Sequence, residues 1–165
     1  MTEGSLIPDE TRAMVGELLA VPVSETINAL RTQQFAHATQ DLNPIYFDEA
    51  AAQEAGFRTL VAPPTYLGYV IAANQPVAEM RTDGLFRGGG RGINLNVKRV
   101  MFGGQEWDFV APAYVGDTIT VETRLKALEE KSGGSGPFVL QTTETTYTNQ
   151  LGEIVARARG LSIAR

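Results

Sequence analysis

The texture of this sequence changes once, and that change limits the fold more than any single motif. Up to residue 85 the chain reads as short helical segments broken by proline and glycine. After the run Phe86-Arg87-Gly88-Gly89-Gly90-Arg91-Gly92 it reads as strand. Residues 93–102, 106–110, 117–127, 138–148 and 154–163 are rich in Val, Ile, Thr and aromatics, the side chains that suit a pleated, half-buried surface. Turn signals separate them at Gly103-Gly104, Val115-Gly116-Asp117, 132–137 and 149–152. Ile119, Val121, Thr123 and Leu125 alternate with polar residues. Helices first and an antiparallel meander after make an α+β chain.

The first half supplies what the sheet must cover. Residues 1–7 look like a loose terminus. Residues 8–19 suit a short helix with Pro8 at an early position, although 17–23 is apolar enough for a strand. Over 26–38, Ile27, Leu30, Phe35 and Ala38 recur at steps of three, five and three residues. This predicts an amphipathic helix capped near Ser24 or Thr26. Residues 41–44 break it, and Asp48 caps a short alanine-rich helix ending at Gly56. Pro63-Pro64 cannot continue a helix but can begin one. The stretch 65–73, with Tyr66, Leu67, Tyr69, Val70 and Ile71, is apolar nearly all round. It reads as a buried helix. The expectation is one domain over residues 1–165, an antiparallel sheet wrapped around a long central helix.

Composition removes several functions. The 165 residues contain no cysteine and a single histidine, His37. Disulfides, thiolate metal sites and a three-histidine zinc site are therefore excluded within this chain. No metal and no cofactor is expected. Net charge is -5 with a pI of about 4.9, which argues against nucleic acid as a partner. No apolar run approaches the roughly 20 residues of a membrane span, and the acidic start Met1-Thr2-Glu3 is not a secretory signal. The expected location is the cytoplasm.

One segment carries chemistry. By itself, Asp41-Leu42-Asn43-Pro44 is a polar turn in which Asp and Asn bond nearby backbone and Pro fixes φ. Alternatively, it holds a carboxylate and an amide on a rigid turn beside a buried helix. The longer run Thr39-Gln40-Asp41-Leu42-Asn43-Pro44-Ile45-Tyr46-Phe47-Asp48, followed by Ala50-Ala51 and Gly56, resembles the signature of the MaoC-like (R)-specific enoyl-CoA hydratases. That signature reads Asp-x-Asn-Pro-hydrophobic-His. Ala62-Pro63-Pro64-Thr65, the glycine run, Gly104-Gln105-Glu106-Trp107 and Gly116-Asp117-Thr118 are similar to the branch with a fatty-acid-synthase-like dehydratase domain. The resemblance runs from about residue 24 to the end. It implies a hotdog fold, a dimer of hotdogs, and an acyl-CoA or acyl-carrier-protein thioester as substrate. It also implies an Asp/His pair that deprotonates water while the α-carbon is protonated. A backbone N–H on the central helix would polarise the thioester carbonyl.

Two departures bear on that mechanism. The histidine position is Tyr46, whose ordinary pKa near 10 makes it a donor rather than a base. Pro63-Pro64 stand where the family has a His-Gly step, and Pro64 has no N–H to offer. A shift of one residue would bring the Thr65 N–H into play. Asp41, Asn43 and Tyr46 are therefore degenerate catalytic positions. Pro63, Pro64, Thr65, Tyr66, Gly88, Gly89, Gly90 and Arg91 are the substrate-binding candidates. Losing both groups resembles the non-catalytic subunits of heteromeric dehydratases, where the partner hotdog supplies the dyad.

Other features have two readings. His37 lies four residues before Asp41 and could rebuild a dyad, or simply sit at a helix C-terminus. The glycine run could contact phosphate through its N–H groups, or only connect. Trp107, Phe109 and Tyr114 are core or interface aromatics. Tyr66 and Tyr69 line an acyl pocket or pack the core. The leading expectation is a subunit of an enoyl-thioester hydratase or dehydratase with a second hotdog subunit as partner. The alternatives are a self-sufficient homodimer using Asp41 with Tyr46 or His37, a hotdog thioesterase, and a non-enzymatic acyl-thioester binding module.

Overall fold

The computed structural model describes residues 5–68, 93–134 and 136–165. In chain order these form α1 (Asp9–Arg12), β1 (Val23–Thr26), α2 (Ala29–Thr39), a 3-10 turn (Pro44–Tyr46), α3 (Glu49–Glu54), β2 (Val100–Phe109), β3 (Thr118–Gly133), β4 (Gly136–Thr148) and β5 (Ile154–Ala164). The strands make one sheet in the order β1-β3-β4-β5-β2, and every pair is antiparallel. A helix opens at Tyr66 and is described as far as Gly68. The rest of the expected central helix, with Tyr69, lies outside the described residues, as do Gly88, Gly89, Gly90 and Arg91.

The period-2 pattern decides which face of the sheet is inside. Ile119, Val121 and Leu125 of β3 are buried, with Tyr147 of β4 and Ala156 and Ala158 of β5. Tyr66 and Leu67 join the same cluster, so the opening of the helix sits on this inner face. At Gly68 an added Cβ would lie 3.5 Å from the Trp107 ring. Trp107 in turn stacks on Tyr147 at 5.2 Å and on Phe109 at 5.4 Å. Each large side chain buried here is worth roughly 1.5–3 kcal/mol.

Several expectations shift. Residues 5–7 are not loose: Ile7 is 1% exposed in a second cluster with Leu125, Leu128 and Val139. The hydroxyl of Ser5 and the N–H of Ile7 donate to Glu130. The helix from Pro8 is one turn only, and the strand after it begins at Val23. Ser24 and Thr26 belong to β1, and the cap of α2 is Asn28, which accepts from the Arg31 N–H. Their hydroxyls bond Thr120 and Thr118 across the sheet instead. Residues 93–99 are not strand: Ile93, Leu95 and Val97 pack on the second cluster as an irregular strap. Gly103-Gly104 is a bulge inside one continuous β2, because Phe102 pairs with Ser162 and Gly104 with Leu161. Asp48 does cap α3, accepting from Ala50 and Ala51.

Among the described residues no helix is long and apolar enough to cross a membrane. Nor does any group of three His, Cys, Asp or Glu side chains there suit a metal ion.

Candidate active site

The end of α2 sets the position of Asp41. Gln40 takes the left-handed conformation at φ 58. Its N–H then bonds His37 O at 3.2 Å, and the Asp41 N–H bonds Ala36 O at 3.0 Å. This pair of bonds is the Schellman ending of a helix. It delivers Asp41 at the surface just past the last turn. Asn43 follows as the cap of the 3-10 turn, its side-chain oxygen accepting from the Ile45 N–H at 3.3 Å, with Pro44 at the first position. The turn swings Tyr46 back under Asp41, and the Tyr46 hydroxyl donates to Asp41 Oδ2 at 3.1 Å. The structure thus joins the two sequence candidates directly. Asn43 spends its amide oxygen on capping.

Tyr46 is buried while Asp41 is exposed. Burial first, and then the hydrogen bond and charge of Asp41, push the Tyr46 phenol up to about 12. Each effect disfavours the phenolate. At neutral pH this group is a donor whose one proton is committed to Asp41. It cannot take a proton from water. His37 gives no substitute: its ring tilts against Phe47 at 4.9 Å, and no hydrogen bond links it to Asp41 among the described residues.

An apolar cavity of about 290 Å³ adjoins the Tyr46 ring. Phe57, Val61, Leu67, Phe109 and Val110 share its lining, and among the described residues Tyr46 is the one lining side chain with a polar atom. Pro64 lines it too, whereas Pro63 is buried and Thr65 is exposed. The Tyr66, Leu67 and Gly68 N–H groups are occupied by the carbonyls of Pro63, Pro64 and Thr65. The Thr65 N–H makes no hydrogen bond to the described residues. It is therefore the first amide after the prolines with capacity to spare.

Sequence reasoning missed the clamp that holds this wall. The Asp117 carboxylate is 1% exposed. It accepts from the Arg58 guanidinium, from Gln150 Nε2 at 2.9 Å and from the Tyr114 N–H at 3.0 Å. Arg58 also lies 4.2 Å over the Tyr114 ring, which meets Phe57 of the cavity edge-on. Burial opposes the Asp117 charge. The bonds from Gln150, Arg58 and Tyr114, with the Arg58 charge, outweigh it and hold the carboxyl below its ordinary range. The available signal was a lone acid in an apolar-Gly-Asp turn.

Comparison with known proteins shows the family and the fold. Residues 13–158 match the family described as "FAS1-like, dehydratase domain region". A probable enoyl-CoA hydratase alpha subunit of Thermomonospora curvata is 32% identical over 163 residues, covering 90% of this chain and 48% of that protein. The ChsH1-ChsH2 complex of Mycobacterium tuberculosis superposes with a TM-score of 0.70 at 19% identity, covering 93% of this chain and 86% of the other. The HadBC (3R)-hydroxyacyl-ACP dehydratase complex from the same organism gives 0.66 at 21% identity, covering 91% and 96%. The fold is the α+β hotdog that the sequence predicted, and the chain belongs to the FAS1-like dehydratase family of hydro-lyases.

Proposed function

We propose that this chain is the subunit without the base in an enoyl-thioester hydratase or (R)-3-hydroxyacyl-thioester dehydratase. The observation that carries the reading is the Tyr46–Asp41 pair: a phenol pushed up to about 12 stands where the resemblance puts the histidine, and it donates its hydrogen bond to the carboxylate. Reversible hydration needs a group that takes a proton from water and returns it, and Tyr46 cannot do so. Pro64, with no N–H on the cavity wall, points the same way. In this reading the whole chain, residues 1–165, is one hotdog domain. Asp41, Asn43 and Tyr46 are remnants of catalytic positions. The apolar cavity and Pro63, Pro64, Thr65 and Tyr66 help to shape the acyl site; Gly88, Gly89, Gly90 and Arg91 stay substrate-binding candidates on the sequence alone. The partner is a second hotdog carrying an intact Asp-x-Asn-Pro-x-His. The substrate rides on CoA or acyl-carrier protein, and the setting is the cytoplasm. Relatives named as an alpha subunit and as two-component complexes support a heteromer.

Co-expression with such a partner hotdog tests this. The assembled pair should consume enoyl-CoA absorbance without releasing free thiol. Thiol release would point to a thioesterase. Tight binding with neither change, in the assembled pair, would point to a binding module.

A further inference from the structure

The two edges of the sheet differ sharply. β1 closes one side with four residues, Val23–Thr26, and its Ser and Thr hydroxyls bond the neighbouring strand. β2 closes the other with ten residues, and among the described residues β5 is its sole neighbour. Along β2, Val100, Phe102, Trp107 and Phe109 pair with Ala164, Ser162, Ala158 and Ala156, so they share the inner face of the sheet. Val100 is nevertheless 62% exposed and Phe102 76%. A long apolar edge invites another strand. Phe109 and Val110, where β2 ends, also wall the cavity beside Tyr46. Whatever pairs with this edge therefore borders the site.

The outer face of the same strand limits what can pair. Glu106 and Asp108 stand there opposite Arg159 and Arg157 of β5, and their side chains are 69% and 71% exposed. Each acid is ion-paired with its arginine, Glu106 at 3.3 Å and Asp108 at 4.0 Å, but the arginines lie one strand inward, so the carboxylates form the outermost row. A second copy would meet it across a two-fold axis, with residue i facing j and j facing i. The regular run after the bulge is 104–109. Keeping inner faces together leaves two registers near its middle. One sets Glu106 against Glu106 of the copy. The other sets Glu106 against Asp108 twice. Like charges directly opposite oppose pairing, and the net charge of -5 adds to the repulsion.

We propose that the carboxylate row on the open edge of β2 selects, as its neighbour in the assembly, a hotdog edge strand bearing Lys or Arg over a second copy of this chain. The proposal deepens the subunit reading and rests on it for the kind of partner. Its test reads association alone, so its failure would leave the catalytic reading to stand or fall on turnover.

A charge-reversed copy can stand in for the basic partner. Sedimentation velocity at low ionic strength would compare the wild type, the double variant E106K/D108K, and their mixture. Neither alone should dimerise appreciably. The mixture should form a one-to-one dimer that binds at least about tenfold more tightly and weakens as salt is raised. Placing Phe102→Lys in the wild-type member should abolish it. If the lysine variant does not fold, E106Q/D108N replaces it, with self-association strengthened about tenfold as the expected result. A wild-type homodimer as tight as the mixture would overturn the proposal. So would a folded mixture that stays monomeric, pairing that survives Phe102→Lys, or an E106Q/D108N variant no stickier than wild type.

Discussion

Replacing Asp117 with alanine should cost this fold about 3 kcal/mol, and the figure follows from its partners. The Tyr114 N–H loses a charged, buried acceptor at 3.0 Å, worth about 1.5–3 kcal/mol. Gln150 Nε2, at 2.9 Å, lies on an exposed side chain and regains water, so its share is about 0.5–1 kcal/mol. Arg58 is about half exposed and contributes no more than a surface pair, about 0–1 kcal/mol. Thermal unfolding by calorimetry should then show a midpoint lowered by roughly 6–12 °C for a chain of this size. The pH dependence gives an independent check. The Asp117 carboxyl is held below its ordinary value, so the folded state binds its proton less readily than the unfolded state does. Its stabilisation is complete above the unfolded value near 3.8 and is lost as pH falls through the lower folded value. Wild type should lose this increment on acidification, and Asp117→Asn should not. A loss below about 1 kcal/mol in Asp117→Ala, or identical acid unfolding of wild type and Asp117→Asn, would refute the clamp.

Two further outcomes concern the site. Tyr46→Phe removes one hydrogen bond to an exposed carboxylate. It should cost no more than about 1 kcal/mol by urea unfolding and leave turnover of the partnered enzyme within about twofold. A loss of orders of magnitude would make Tyr46 catalytic. His37→Asn should likewise leave that turnover unchanged, because the imidazole rests on Phe47 and does not bond Asp41. A collapse in kcat on substitution would reinstate it.

What the residues reveal on their own tracks the distance over which each contact acts. Asp41 and Tyr46 are five positions apart, and one turn brings them together, so the pair was visible as a motif. Alternation through Ile119, Val121 and Leu125 marked the buried face of β3 for the same reason. The Asp117 clamp joins residues 59 and 33 positions away, and no local pattern records such a pairing. Gly103-Gly104 misled because a bulge and a turn ask for the same permissive backbone, and only the register of β5 tells them apart. Ser24 and Thr26 misled because a hydroxyl can cap a helix or bond across strands. Tertiary packing chose the strand. At residues 93–97 the apolar alternation was real. Among the described residues no strand pairs with this run; its side chains dock on the second cluster and the Asn96 N–H bonds Leu6 O, while the backbone stays irregular.

The central claim is that this chain has kept the hydratase segment from Asp41 to Tyr46 without its base. The direct measurement is steady-state turnover of the purified chain alone with crotonyl-CoA and longer enoyl-CoA thioesters, followed by loss of enoyl absorbance. The account predicts no hydration above the uncatalysed rate at neutral pH. Robust turnover by the lone chain, abolished by Tyr46→Phe or Asp41→Asn, would contradict it.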